Sequence, residues 1–304
     1  MTAVVLPLKF QVGARTLWSI PRRLVRVPQA LADVLEPRAI QLPLLDDTAD
    51  GILVTSLPEA RIAAVAAQAP DLLAFVRQRY TRYFADLTGG FDAYFGSMSS
   101  GTRSGLKRKA KKLATRCGGT LDIRAYRTPD ELAVFHPLAR AVSELTYQEV
   151  LLGSGLPDSP VFVRTMLAAA AADAVRAWLL FVDGRAVAYL YCPAEGDTLR
   201  YDYLGHDPEV ANWSVGSVLQ IEAMRALFAE GRFARFDFTE GEGQHKRQFA
   251  TGGVECVDLM LLRPTLANRA AIAALSGFDA AMALAKRATK KMRAEALVRR
   301  LRRR

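Results

Sequence analysis

Ala177-Trp-Leu-Leu-Phe-Val-Asp183-Gly184-Arg-Ala-Val-Ala-Tyr-Leu-Tyr-Cys192 is two apolar runs joined by Asp-Gly. Asp and Gly accept positive φ, which a tight hairpin turn demands, so the stretch predicts two antiparallel strands, Ala177–Val182 and Arg185–Cys192. Upstream, Leu121–Tyr126 alternates like a strand. Thr128-Pro-Asp-Glu131 then supplies a cap, a proline suited to the first helical position and two acids, opening a helix to about Leu145, and a second helix fills Ser159–Ala174. Downstream come a strand over Leu199–Gly205, a helix over Ser214–Glu230 that stops at Gly231, and strands over Phe233–Phe238 and Val254–Leu262. The order β-α-α-β-β-β-α-β-β predicts one α+β unit over residues 119–263.

The flanks read differently. The first 50 residues are punctuated by Pro7, Pro21, Pro28, Pro37 and Pro43 and suggest strands and loops. Pro58-Glu-Ala-Arg61 predicts the start of a helix running to about Tyr83, with Thr88-Gly-Gly90 breaking it. A helix over Thr102–Arg116 is capped by Ser99 or Ser100 and ends at Cys117-Gly118-Gly119. Residues 1–118 form an N-terminal α/β region, and residues 264–304 a helical tail. In that tail Ala281, Leu284, Ala285, Ala288 and Met292 keep helical spacing opposite Lys286, Arg287, Lys290 and Arg293.

With 51% hydrophobic and 24% charged residues in 304, the chain is ordinary globular protein rather than a disordered, collagen-like or disulfide-scaffold sequence. Its uncharged runs are too short to span a bilayer as helices. Three scattered cysteines (Cys117, Cys192, Cys256) and three scattered histidines show no zinc spacing, so no metal is expected and a reducing compartment is. The start of the chain lacks the features of an export signal, so a cytoplasmic location is expected. Charge is concentrated: the net +10 arises from +9 in residues 286–304 and +7 in residues 103–116, leaving the rest at −6. Two cationic helices on a mildly acidic body imply an anionic partner: cofactor phosphates, lipid headgroups or nucleic acid.

Four stretches carry a family resemblance. They are Ser100-Gly-Thr-Arg103-Ser-Gly-Leu-Lys-Arg108, Trp178–Ala188, Tyr201-Asp-Tyr-Leu-Gly205-His-Asp207, and Phe236-Asp237-Phe-Thr-Glu240-Gly-Glu-Gly-Gln-His-Lys246. In order and spacing they resemble the Gcn5-related N-acetyltransferase (GNAT) superfamily, and more closely the FemAB-like bacterial branch associated with cellulose and exopolysaccharide biosynthesis. The resemblance implies a mixed, splayed central sheet flanked by helices. Whether residues 1–118 are a second, degenerate lobe of the same kind the resemblance leaves open, since the first 95 residues carry little of it. The activity implied is movement of an acyl group from acyl-CoA, a co-substrate rather than a permanent cofactor, onto an amine.

That chemistry needs a glycine-permitted loop entering a helix N-terminus, where free N–H groups meet phosphate. Asn212-Trp-Ser214-Val215-Gly216-Ser217 occupies the position, departing from the superfamily's Gln/Arg-x-x-Gly-x-Gly/Ala; the same residues also read as a plain helix start with Ser214 as N-cap. It also needs a base for the ammonium and groups that stabilise the oxyanion. Asp237, Glu240, Glu242, His245 and Lys246 crowd ten residues; Glu240 or His245 suits the base, and Lys246 and Glu242 suit substrate contact. A second set is Tyr201, Asp202, Tyr203, His206 and Asp207, with Tyr201 placed to protonate the leaving thiolate and Tyr203 beside the donor. Tyr147 and Gln148 suit an acceptor pocket, and Arg103 an anionic substrate group. Cys192 is expected to be buried, not nucleophilic.

The basic amphipathic tail suggests a helix on anionic lipid at the inner membrane face. A long-chain donor and a lipid amine, as in bacterial ceramide synthesis, fit both tail and resemblance. An amino-sugar acceptor of envelope polysaccharide and a FemAB-like aminoacyl transfer are the competing reactions. A non-catalytic adaptor for membrane or nucleic acid is the alternative of another class, which the carboxylate-rich 237–246 loop opposes; nucleic acid is not expected as the partner.

Overall fold

A computed structural model describes residues 2–12, 15–36, 38–146, 149, 155–241 and 243–301, with the side chains of 15, 286 and 288–301 outside that description. In chain order the elements are β1 (Val4–Val12), β2 (Arg15–Pro28), α1 (Leu31–Leu35), β3 (Gly51–Pro58), α2 (Ile62–Ala66), β4 (Leu73–Asp86), α3 (Phe91–Ser97) and α4 (Ser100–Arg116). There follow β5 (Asp122–Tyr126), α5 (Pro129–Ser143), α6 (Pro160–Ala171), β6 (Val175–Val182), β7 (Arg185–Glu195), β8 (Thr198–Arg200) and β9 (Tyr203–His206). A 3-10 turn (Pro208–Trp213) leads to α7 (Val215–Glu230), then β10 (Arg235–Asp237), α8 (Gln244–Phe249), β11 (Gly252–Leu262) and α9 (Leu266–Leu301).

The chain divides into two compact units, one of residues 1–30, 37–79 and 257–304, the other of residues 31–36 and 80–256. This division runs differently from the sequence boundaries, because residues 1–118 contribute to both units and the tail joins the first. In the first unit β1 and β2 form an antiparallel hairpin and β3 lies parallel to β2. One core gathers Val27, Ile52, Val54, Leu57, Leu259 and Leu261, and another gathers Leu8, Phe10, Leu24 and Met260 with Ala271 and Leu275 of α9. The start of α9 is thus packed, whereas Leu284 is 65% exposed.

The second unit carries the site. Its strands run β10, β8, β7, β6, β5, with β9 also on β7. All eight residues of β6 are buried, as an apolar run covered on both faces requires. At the β6–β7 turn Asp183 and Gly184 take φ of 50° and 75°, the mirror-type turn their sequence predicts. One face packs α5 and α6 through Leu132, Phe135, Ala139 and Met166. The other packs α7 and the Leu106–Leu113 face of α4. Helix α7 buries Val215, Val218, Leu219, Ile221, Ala223, Met224 and Leu227, the pattern of an internal helix, and ends at Gly231 with φ 63°. Thr128 and Glu131 form the reciprocal capping box of α5.

Two expectations are corrected. The stretch Pro58–Tyr83 is not one helix: a 3-10 turn (Glu59–Arg61) and the short α2 give way to β4, whose Phe75, Val76, Tyr80, Tyr83 and Phe84 suit a strand. The strand expected over Leu199–Gly205 is two, because Tyr201 and Asp202 belong to no ladder.

Candidate active site

Past the interruption at Tyr201-Asp202 the sheet opens: β10 is paired with β8 and, among the described residues, not with β9, so β9 and β10 part. β8 pairs in parallel with β10 and antiparallel with β7, whereas β9 pairs with β7. The flanking tyrosines separate accordingly. Tyr201 lies against Phe236 and Phe238, with ring centroids 6.1 and 5.8 Å away, and Tyr203 meets Phe162 edge-on at 5.9 Å. Between the parted strands and the start of α7 lies a cavity of about 480 Å³. Its walls are Tyr201, Asp202, Tyr203, Leu204 and His206 from the strands, Ser214, Gly216, Ser217 and Gln220 from α7, and His245 and Lys246 from α8, with Thr146, Gly155, Tyr189 and Ala211 completing it.

The α7 end of the cavity is a helix N-terminus without a side-chain cap. Ser214 stands at the N-cap with φ 57° and ψ 37°, a left-handed conformation costing about 1–3 kcal/mol for a residue other than glycine. Its side chain makes no capping bond. The first-turn N–H groups have no acceptor within the helix by geometry, and their partial positive charge adds to the helix dipole. A Cβ built on Gly216 would lie 3.4 Å from Leu204 Cδ2 and 3.6 Å from His206 Nδ1, ordinary contacts. Packing therefore does not require glycine there; anything larger than a methyl would occupy the cavity.

The cavity's titratable groups are displaced in directions that suit proton transfer. Burial holds the Tyr201 phenol well above its ordinary range, so it stays protonated and able to donate. Partial desolvation and the Lys246 ammonium hold the His245 imidazole below 6.5, leaving it neutral and able to accept near neutral pH. Tyr201 and His245 rings are 5.8 Å apart between centroids. Burial also lowers His206 and raises Asp202, the latter against the Arg200 guanidinium that bonds it at 3.0 and 3.1 Å. Lys246 is buried and donates from Nζ to the Glu240 carbonyl at 2.6 Å, fixing the loop into α8.

The structure brings Tyr201, Tyr203, Ser214, Gly216, Ser217, His245 and Lys246 together in this cavity. It separates the others. Asp237 is fully buried in β10, where Arg82 donates to both its oxygens at 3.2 and 2.6 Å and the Thr239 N–H donates at 2.8 Å; its carboxylate serves the sheet and does not line the cavity. The Glu240 carbonyl takes Lys246, and Glu240 is not among the lining residues. Val215 points into the core. Arg103 donates to the carbonyls of Gly96 and Met98 and so closes the end of α3. Tyr147, Gln148 and Glu242 lie outside the described residues. Cys192 is fully buried, and burial pushes its thiol well above its ordinary range. Gln220 escaped the sequence reading, though its signal was there: a lone amide in the apolar core stripe of α7, four residues after Gly216 and three after Ser217.

A cavity between parted strands and an uncapped helix N-terminus is a geometry suited to acyl transfer, and the protein is a transferase. Residues 100–247 match the family model described as the acetyltransferase (GNAT) domain. Among solved structures it is similar to the C-terminal domain of a putative lysylphosphatidylglycerol synthetase from Agrobacterium fabrum, at 13% identity over 75% of this chain and 71% of that one, with a TM-score of 0.50. It is also similar to L-PGS from Bacillus licheniformis (12% identity, 74% and 72% covered, TM-score 0.49) and to FemX (10% identity, 71% and 72% covered, TM-score 0.47). No curated protein matches the sequence.

Proposed function

We propose that the protein transfers an acyl group from acyl-CoA to a primary amine by direct attack, with His245 as base and Tyr201 as acid. The observation that carries this reading is the cavity shared by the uncapped start of α7, Tyr201 and His245. The donor's phosphates meet the first-turn N–H groups beside Gly216, flanked by Ser214 and Ser217. The arm runs along the edge of β9 that is not paired with β7, beside Tyr203. His245 takes one proton from the acceptor ammonium. The amine nitrogen then attacks the thioester carbonyl; the C–N bond forms and the C–S bond breaks. The sulfur takes the Tyr201 proton, and the second nitrogen proton restores the phenol. Asp202 lies on the same cavity wall, its carboxylate paired with Arg200. A cleft of about 400 Å³ lined by Lys112, Thr115, Arg116 and Trp213 adjoins Ser214 in sequence and adds positive charge for further donor phosphates; the Arg116 guanidinium lies 5.2 Å from the Trp213 ring centroid.

For the acceptor we favour a lipid amine, with a long-chain acyl donor. The support is the +9 segment at residues 286–304, each basic side chain near an anionic surface contributing about 1 kcal/mol. No helix of the described residues is long and apolar enough to cross a membrane. The reaction is tested by following thiol release from short- and long-chain acyl-CoAs with lipid and sugar amines. Tyr201→Phe and His245→Ala should each lower turnover by about 10²-fold with the fold retained. Turnover close to wild type in both variants, or transfer from aminoacyl-tRNA with none from acyl-CoA, refutes the assignment.

A further inference from the structure

Gln220 sits in the second turn of α7 with only 2% of its surface exposed, and it lines the cavity. Its Nε2 is buried and has no hydrogen-bond partner among the described residues. An amide N–H held out of water without an acceptor carries the full cost of its desolvation, so the group calls for a partner that the protein itself does not supply. On the same helix face, three and four residues earlier, are Ser217 and Gly216, which line the same cavity and in the reading above receive the donor's phosphate. At a rise of 1.5 Å per residue, the Gln220 backbone lies about 4.5–6 Å further along the helix than Ser217 and Gly216, and its side chain leans back toward them.

Resting on the acyl-CoA reading above, we propose that Gln220 is a subsite for a carbonyl oxygen of the donor's arm. Its side-chain N–H donates to the first amide carbonyl beyond the phosphate. The two points form a ruler on one face of α7: charge recognition at Gly216 and Ser217, then an uncharged acceptor at Gln220. A pantetheine arm presents this sequence, a phosphate, then a short branched carbon chain, then an amide. An inorganic phosphate or a plain nucleotide has the first feature and lacks the last. The subsite thus selects donors by the group attached beyond their phosphate, and it does so on the α7 wall, independently of the strands opposite.

The test titrates the full-length protein with CoA and with ADP, which has the pyrophosphate but no arm. Gln220→Met keeps the side-chain size and removes the donor. It should weaken CoA binding about ten-fold, leave ADP binding unchanged, and raise the melting temperature of the unliganded protein by removing an unpaired buried amide. A merely structural glutamine gives the opposite melting shift and no difference between the two ligands. In the wild type, the side-chain amide resonances of Gln220 should move on addition of CoA and stay in place with ADP, a readout that stands even if the variant folds poorly. CoA binding equally to wild type and variant, with an unmoved amide resonance, overturns the subsite and leaves the donor reading intact. A wild type that binds no CoA overturns both.

Discussion

Arg82 and Asp237 are 5% and 0% exposed, and together they form an ion pair closed from water on both sides. Burial alone would lower the Arg82 pKa; the hydrogen bonds and charge of Asp237 hold it above its ordinary value instead. Removing one partner strands the other charge, so Asp237→Ala should cost about 3–5 kcal/mol of stability, read by chemical denaturation. A stability unchanged within about 1 kcal/mol contradicts the structural role given to this carboxylate. His245 behaves oppositely: it lies at the cavity, exposed, and its substitution should leave stability alone. Because its pKa is held below 6.5, the ring is neutral above that value and loses its accepting form as pH falls. The profile of kcat/KM against pH should therefore rise through a limb below pH 6.5 in the wild type, and His245→Ala should abolish that limb along with most activity. A limb that persists in the variant assigns the base elsewhere in the cavity.

Helix α7 does two jobs, burying an apolar stripe in the core and presenting its free end to the cavity. Gly216→Leu separates them. Leucine is a good helix former, and the built Cβ meets its neighbours at ordinary contact distance, so the fold and melting temperature should hold. The branched side chain fills the anion site, and CoA affinity should fall by ten-fold or more in a binding titration; undiminished affinity moves the donor away from α7. Much of this element pattern was legible locally. Asp183-Gly184 specifies its turn through residues that tolerate positive φ, and Thr128 with Glu131 specifies the start of α5 through two reciprocal hydrogen bonds. Elements fixed by distant partners were not. β4 reads like a helix continuation after Pro58, and its strand identity depends on β11 residues such as Glu255, bonded to Thr81 from 174 positions away. The break at Tyr201-Asp202 is equally silent in sequence, since a strand with alternating side chains reads the same whether or not both its edges are paired. Candidate residues divided the same way: Tyr201, Gly216 and His245, singled out by type, line one cavity, whereas placing Asp237 required sight of Arg82 across the sheet.

The whole molecule distributes its charge unevenly, with +9 in residues 286–304 and +7 in residues 103–116 over a remainder of −6. Attraction of the first segment to an anionic bilayer is electrostatic and screened over about 10 Å at 0.1 M salt. Vesicles containing phosphatidylglycerol should carry the protein upward in a flotation gradient at low salt, less so at high salt, and not when residues 286–304 are deleted. Equal flotation with and without the segment removes the membrane role while leaving transfer chemistry intact. The central claim is narrower: the cavity between the parted strands and α7 takes the phosphate-bearing thioester donor. Calorimetric titration of the full-length protein with CoA, displaced by acetyl-CoA, addresses it most directly. The account predicts saturable binding at a single site per chain, with the two ligands competing. Absence of binding, or binding that acetyl-CoA does not displace, contradicts it.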